Sequence, residues 1–378
     1  MTKVDKYICC WYSSYTELHK KKTLCDTVGD AGIFYLYRNF AILIPMMCDL
    51  HSHCYLFYSG LFADLFPQMS PILGVSDDSF LSSYQSAIQS LASSTSTVNT
   101  KVFNGLYLAA GTTVRANYSQ VLSTYYSSSV QTFSSPASGA QSINSAVATA
   151  TNNLIPDLVS ASALTNAVLV LVSALYFKGD WKTEFNASLT KQEQFLTSSG
   201  YRTVNMMKLN TEVLYRDMGS YDVISLPYKD SDYSMVILRP AAQTMASVQS
   251  LIDSLDSLDI GNISGQLTNR TVHVALPRFS ISAEYGSLET ALQSLGIQQL
   301  FTSADLGNML HASLSVDKVI HKVKMEVTEQ GTQAAGAGAL ISYGGPMPVW
   351  FTLDRPFVAV VWNKQHSINM FTAYVASP

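Results

Sequence analysis

The eleven residues from Ala167 to Phe177 are apolar except for Ser173, and they include Val168, Leu169, Val170, Leu171, Val172, Leu175, Tyr176 and Phe177. Such a run has neither helical periodicity nor the alternation of a half-exposed strand. It suits a strand covered on both faces in the middle of a large sheet. A chain with such a strand needs packed layers on each side of it. The composition can supply them, with 47% hydrophobic and 13% charged residues, which excludes a disordered or solvated chain. At 378 residues the chain is long enough for two average domains or one large mixed α/β unit, and no linker or fixed-period repeat divides it.

Alternating elements surround this strand. Asp77 or Asp78 can cap a helix carrying Phe80, Leu81, Tyr84, Ile88 and Leu91 at helical spacing. Val102 to Leu108 reads as a strand, Asn117 to Tyr126 as a helix, and Ile143 to Leu158 as another. Further strands are predicted at Val223 to Leu226, Met235 to Leu238, Thr271 to Leu276, Val316 to Val327 and Phe357 to Trp362. A helix from Leu288 to Leu295 ends at Gly296.

Residues 1–75 have a different texture, dense in Cys, His and aromatics. All five cysteines, Cys9, Cys10, Cys25, Cys48 and Cys54, lie there. An odd count fits neither a closed disulfide framework nor a paired CxxC zinc module, so the redox compartment stays open. Cys48, His51, His53 and Cys54 match no common zinc spacing, and no metal or cofactor is expected. The apolar stretch from Phe40 to Phe66 is interrupted by Asp49, His51, His53 and Asp64, which argues against a membrane span. With a net charge of -4 and no basic cluster beyond Lys20 to Lys22, a nucleic-acid surface has no support. No apolar leader with a small-residue cleavage site follows Met1 to Lys6. Sequons at Asn117, Asn186, Asn262 and Asn269 are about what a Ser/Thr-rich chain yields by chance.

Several short motifs occur in a fixed order: Tyr176-Phe-Lys-Gly-Asp-Trp181 closing the apolar run, Leu226-Pro-Tyr-Lys229, Leu276-Pro-Arg-Phe279, Val319-Ile-His-Lys322 and Asp354-Arg-Pro-Phe357. With Gly105-Leu-Tyr107 and Phe133-Ser-Ser-Pro136 upstream, this order and spacing resemble the serpin family from about Asp77 to Pro378. The resemblance implies an α+β serpin fold, with large multi-stranded sheets, surrounding helices and an exposed reactive-centre loop over about 329–353. The domain would span 76–378. Residues 1–75 do not match the family's usual start, so either a divergent segment or a misassembled gene start stands there. Two positions depart from the family pattern: Ser173 where Asn is usual and Ala146 where Trp is usual, both expected to loosen local packing.

By the same resemblance, Ser173, Trp181, Arg278 and His321 border the place where the main sheet opens, and Glu329 pairs with Arg278 where the loop first enters. The bland alternatives are a core histidine for His321, plain packing for Trp181, and an ordinary solvated ion pair for Arg278 and Glu329. The hinge after Glu329 contains Gly331, Thr332, Ala334, Ala335 and Gly336, and no charged residue lies between Gln330 and Pro348. In serpins this loop, once cut, inserts as a new strand, and the inward positions must then be small and uncharged. Alternation puts Thr332, Ala334, Gly336, Gly338 and Leu340 on one face. From composition alone, the same stretch is equally a flexible Gly/Ala linker.

The chain has no GxSxG elbow and no assembled triad, so it is expected not to be an enzyme. The resemblance implies a serine protease inhibitor acting as a suicide substrate; a non-inhibitory serpin, a ligand carrier or chaperone-like protein, is the alternative. Charged or bulky hinge residues mark the second class, and this hinge has none. Family spacing, seventeen residues counted from Glu329, puts the cut between Gly345 and Pro346. Proline after the cut is a poor fit to most serine proteases. Tyr343-Gly344 suits a chymotrypsin-like pocket and Ile341-Ser342 an elastase-like one, whereas the lack of Arg or Lys between Gln330 and Asp354 disfavours trypsin-like enzymes. A monomer is expected. An extracellular setting is favoured by the resemblance alone.

Overall fold

The computed structural model describes residues 85, 86, 89, 94–126, 128–255, 258–285, 288–294, 296–302, 306, 309, 310, 314–329 and 347–378. Of the helix read from Asp77, Gln85, Ser86 and Gln89 are among them and are helical, and its other residues lie outside, as do the cysteine and histidine cluster of 48–54 and hinge and cleavage residues 330–346.

Two sheets carry the fold. The first has the order β2-β1-β3-β10-β9 and is built from β1 (Val98–Ala109), β2 (Ser129–Phe133), β3 (Leu169–Gly179), β9 (Phe279–Tyr285) and β10 (Lys318–Val327). The apolar run is β3, at the sheet's centre. Its odd residues Leu169, Leu171, Leu175 and Phe177 enter the larger core cluster, and its even residues Val170, Val172, Ala174 and Tyr176 a second one. Burial on both faces explains why the run shows no alternation.

The second sheet runs β11-β8-β5-β6-β7-β12-β13, with β4 beside β5. It comprises β4 (Lys191–Thr197), β5 (Gly200–Asp217), β6 (Tyr221–Pro227), β7 (Tyr233–Pro240), β8 (Thr268–Pro277), β11 (Val349–Thr352), β12 (Phe357–Asn363) and β13 (Ile368–Val375). The described helices are α1 (Ala116–Tyr126), α2 (Pro136–Ala150), α3 (Met245–Ser254), α4 (Ile260–Gln266), α5 (Glu289–Ser294) and α6 (Gln299–Thr302). The core between the sheets joins Leu171 and Val323 of the first to Ile237, Leu276 and Phe357 of the second.

The helix expected over Ile143 to Leu158 instead occupies Pro136–Ala150. Its start is fixed by Ser135, whose side chain accepts from the Ser138 N–H, with Pro136 in the first turn. It stops because Asn152 and Asn153 adopt φ of 51° and 59°, the left-handed region that short polar side chains tolerate. Asn144 then ties down the irregular segment that follows: its Oδ1 accepts from Leu158 and Val159 N–H, and its Nδ2 donates to Val159 O. Ala146 sits on the half-buried flank of α2, whereas Ile143 and Val147 face the core.

Candidate functional site

The central pairing of the first sheet runs parallel. Lys318 to Met325 of β10 lie in register with Val170 to Phe177 of β3, while β3 meets β1, and β10 meets β9, antiparallel. The same sense recurs at the sheet's edge between β1 and β2; a parallel ladder is slightly the weaker kind per residue, so the sheet places one of its two less stable junctions in the middle.

Both ends of this seam are pinned. At the lower end Asp317 Oδ2 accepts from the N–H groups of Val168 at 2.7 Å and Leu169 at 2.9 Å. At the upper end Trp181 Nε1 donates to Thr328 O at 3.0 Å. The motif containing Trp181 is shaped for this. Gly179 lies where an added Cβ would fall 2.6 Å from the Tyr228 ring, so only glycine lets the two segments close. Trp181 then stacks on Tyr228 at 4.6 Å and 9°, and Phe177 meets the same ring edge-on at 5.3 Å. Burial pushes the Tyr228 hydroxyl pKa far upward.

Just past Thr328, Glu329 is buried and Arg278 clasps it with two bonds, Nε to Oε2 at 2.9 Å and Nη2 to Oε1 at 2.5 Å. Thr190 Oγ1 donates to Oε1 at 2.7 Å. Burial alone would raise the carboxyl pKa, but the Arg278 and Thr190 hydrogen bonds outweigh it and hold Glu329 below its ordinary value. The bidentate geometry makes this more than a solvated surface pair. Arg278 is supplied by the turn between β8 and β9, so Glu329 is tied to the strand beyond β10 as the loop begins.

At mid-seam a polar row crosses three strands: Asn104 pairs with Ser173, and Ser173 with His321. All three are buried, at 5%, 0% and 2% exposure, on the side of Leu171 and Leu175. Burial drives the His321 pKa down to about 4, opposed by a hydrogen bond to the Ser173 backbone, so the ring is neutral at pH 7.

The structure thus brings Trp181 and the Arg278–Glu329 pair together at the top of the seam, with Ser173 and His321 at its middle. Asn104, Asp317 and Thr190 were not singled out by the sequence. A lone Asn within the apolar strand Val102 to Leu108 was the available signal for the first. No local pattern marked the other two.

Residues 328–348 connect the end of β10 in one sheet to β11 in the other, a connection of twenty-one residues and longer than most loops within a domain. A segment turning back from β10 into the seam would run antiparallel to β10, and also to β3 because the two are parallel. It would exchange one parallel junction for two antiparallel ones.

A family model described as Serpin (serine protease inhibitor) matches residues 52–378. Iripin-1 of Ixodes ricinus is 31% identical over 85% of this chain and 85% of its own length. Iripin-2 of the same tick is 35% identical over 64% of this chain, which spans 62% of that relative. Chicken (Gallus gallus) neuroserpin is 32% identical, with 73% of this chain and 70% of that protein aligned. Among solved structures, Serpin48 of Tenebrio molitor superposes with a TM-score of 0.79 at 22% identity, covering 100% of this chain and 98% of the other. Manduca sexta serpin-12 gives 0.78 at 23%, with 95% of each chain covered. At these identities the structural likeness concerns the fold.

Proposed function

This chain belongs to the serpin family, and from that premise we propose that it inhibits a serine protease as a suicide substrate. The protease cuts the loop and forms an acyl-enzyme. The freed loop then enters the β3–β10 seam and carries the linked enzyme away before hydrolysis completes. The observation that carries this reading is the parallel seam, closed on itself and pinned at Asp317 and Trp181, and the sequence supports it with an uncharged small-residue segment that follows Glu329. Insertion needs Thr332, Ala334 and Gly336 to pass between two strands, and none carries charge or bulk that would resist burial.

In this reading Arg278, Glu329 and Trp181 form the latch that the entering hinge must part, and Ser173 and His321 line the path below it. Family spacing puts the cut at Gly345–Pro346; the poor fit of proline moves it to Tyr343–Gly344 and makes a chymotrypsin-like enzyme the target. The protein works as a monomer and supplies no catalytic group of its own.

The test is to incubate the protein with chymotrypsin, elastase and trypsin and to resolve the products after boiling in detergent. A complex that survives denaturation with chymotrypsin, releasing a peptide that begins at Gly344, is expected. A cleaved loop with no covalent complex would remove the inhibitor reading and leave a non-inhibitory serpin.

A further inference from the structure

A cleft of about 530 Å³ opens beside the Arg278–Glu329 latch, where the ends of the two sheets meet. One wall is β5, which supplies Arg202, Thr203 and Asn205. The other is Arg278 with the start of β9 and the upper part of β10, which supply Ser280, Lys324 and Glu326. The walls are joined by the Arg278 N–H, which donates to Asn205 O at 2.8 Å. Thr328, whose carbonyl holds Trp181, is part of the same lining, and Pro378 closes the rim. The cleft therefore touches both the latch and the strand end from which the loop departs.

Its side-chain charge is uneven. Arg202, Arg278 and Lys324 line it against one acidic side chain, Glu326, which Lys324 engages at 3.1 Å. Arg202 is exposed and bonded to a hydroxyl, Nη1 to Ser377 Oγ at 2.7 Å, and no side-chain carboxylate among the described residues pairs with it. Arg278 spends Nε and Nη2 on Glu329, which leaves Nη1 for a further acceptor. Two guanidinium groups with donors to spare, a nearby ammonium, and the neutral donors Thr203, Asn205 and Ser280 make an anion site built on strands rather than on a loose surface.

We infer that this cleft binds a small molecule carrying adjacent phosphate groups, and that the bound anion locks the latch by tying Arg278 to β5. Phosphate suits the planar fork of arginine, which meets two of its oxygens at once. Arg202 stands three residues before Asn205 on β5, and so about 10 Å of strand from the point where Arg278 is anchored. Two extended arginine side chains span that separation through a diphosphate more readily than through one phosphate group. The cleft's volume lies in the range of small-molecule sites, larger than a single ion needs. With Nη1 held by such a ligand, Arg278 keeps its grip on Glu329 and the seam resists parting. Binding needs no assumption about function; its role as a brake on loop entry rests on the inhibitor reading.

The test is calorimetric titration of the full chain with inorganic pyrophosphate at constant ionic strength, for wild type, Arg202→Gln, Arg202→Lys and Lys324→Gln. Arg202→Gln is expected to weaken binding about tenfold, and Arg202→Lys, which keeps the charge without the fork, about threefold. Lys324→Gln should also cost about threefold, and all three variants should melt with the wild type when no ligand is present. At about ten times its dissociation constant, pyrophosphate should raise the wild-type melting temperature by about 2 °C and slow hydrogen exchange at Met325 to Val327. No binding by wild type, equal binding by Arg202→Gln, or tighter binding of sulfate or citrate would overturn the site. Binding with unchanged exchange at Met325 to Val327 would overturn the lock. Covalent trapping of chymotrypsin is timed in parallel and should slow about threefold with pyrophosphate bound; an unchanged rate would overturn the brake. Absence of trapping with and without pyrophosphate, while binding and slowed exchange hold, would sink the inhibitor reading and leave the anion site standing.

Discussion

The loop leaves the first sheet at the end of β10 and rejoins the protein at β11 of the second, and the two sheets differ at their centres. In the second sheet β6, β7 and β12 pair antiparallel throughout, with Ile224, Ile237 and Val361 packed on one face and Val223, Val236 and Val360 on the other. Its buried Asp222 is met by Arg239. In the first sheet the central junction is parallel and carries Asn104, Ser173 and His321 in one row. In the proposed mechanism the pairing sense and the polar row mark the first sheet as the one that parts, with the second as the support to which the loop's far end is anchored.

The largest effect that distinguishes them is loop cleavage. If the cut loop fills the seam, about ten new ladder hydrogen bonds worth roughly 1 kcal/mol each form, and the melting temperature should rise by on the order of 20 °C. Hydrogen exchange should slow in β3 and β10 and stay unchanged in β6 and β7. An unaltered melting transition, or equal protection gained in both sheets, would erase the distinction. A smaller change breaks the same process from the loop side. Thr332→Arg forces a charge beneath the entering strand at a cost of several kcal/mol. The variant should be cut as a substrate, with the number of inhibitor molecules consumed per protease rising about tenfold and the melting increase after cleavage shrinking. Trapping at an unchanged ratio would show that this face is never buried.

The same contrast explains what the sequence disclosed. β3 was legible because burial on both faces leaves a continuous apolar run, and the motif ending in Trp181 was legible because Gly179 has to clear Tyr228. The β4–β5 hairpin was not, since its residues from Lys191 to Asp217 are mostly exposed or half-exposed and mix polar with apolar without strict alternation. The start of α2 was missed although Ser135-Pro136 announced it, because apolar spacing from Ile143 outweighed the cap signal. Parallel pairing of Val170 with Lys318 is a tertiary event across more than a hundred residues, and no local pattern encodes it. The Arg278–Glu329 pair was reached by resemblance, whereas Thr190, which completes it, belongs to no recognisable motif.

The latch at the top of the seam gives the next effect. Arg278→Ala would leave the Glu329 carboxylate buried without its bidentate partner, a loss of about 3 kcal/mol, the low end for such a break because Arg278 is itself partly in water. Because the folded-state pKa of Glu329 is depressed, its contribution is complete above the ordinary carboxylate pKa and disappears as pH falls through the folded value. Denaturant unfolding of Arg278→Ala and Glu329→Gln at pH 7 and pH 3 should show the wild-type advantage shrinking in acid. The same loss at both pH values would mean that the pair is not what holds Glu329 in place.

The smallest effect tests the middle of the seam through His321. Its folded pKa is about 4 against an ordinary 6.5, so between these values the unfolded chain binds a proton that the folded chain refuses. Stability therefore rises with pH across this window: it is fully present above 6.5, declines as pH falls, and is lost by pH 4. Two and a half pH units correspond to about 3 kcal/mol at most, less where water reaches the seam as it loosens. The wild-type chain should lose stability between pH 7 and pH 4.5, and His321→Gln, which cannot take up the proton, should lose distinctly less. Hydrogen exchange at pH 5 localises the cause: β3 and β10 amides near Ser173 and His321 should open faster than at pH 7, while β6 and β7 amides should not. Equal acid loss in wild type and His321→Gln would show that the polar row does not titrate the seam, and would leave its parallel pairing as the remaining physical difference between the centres of the two sheets.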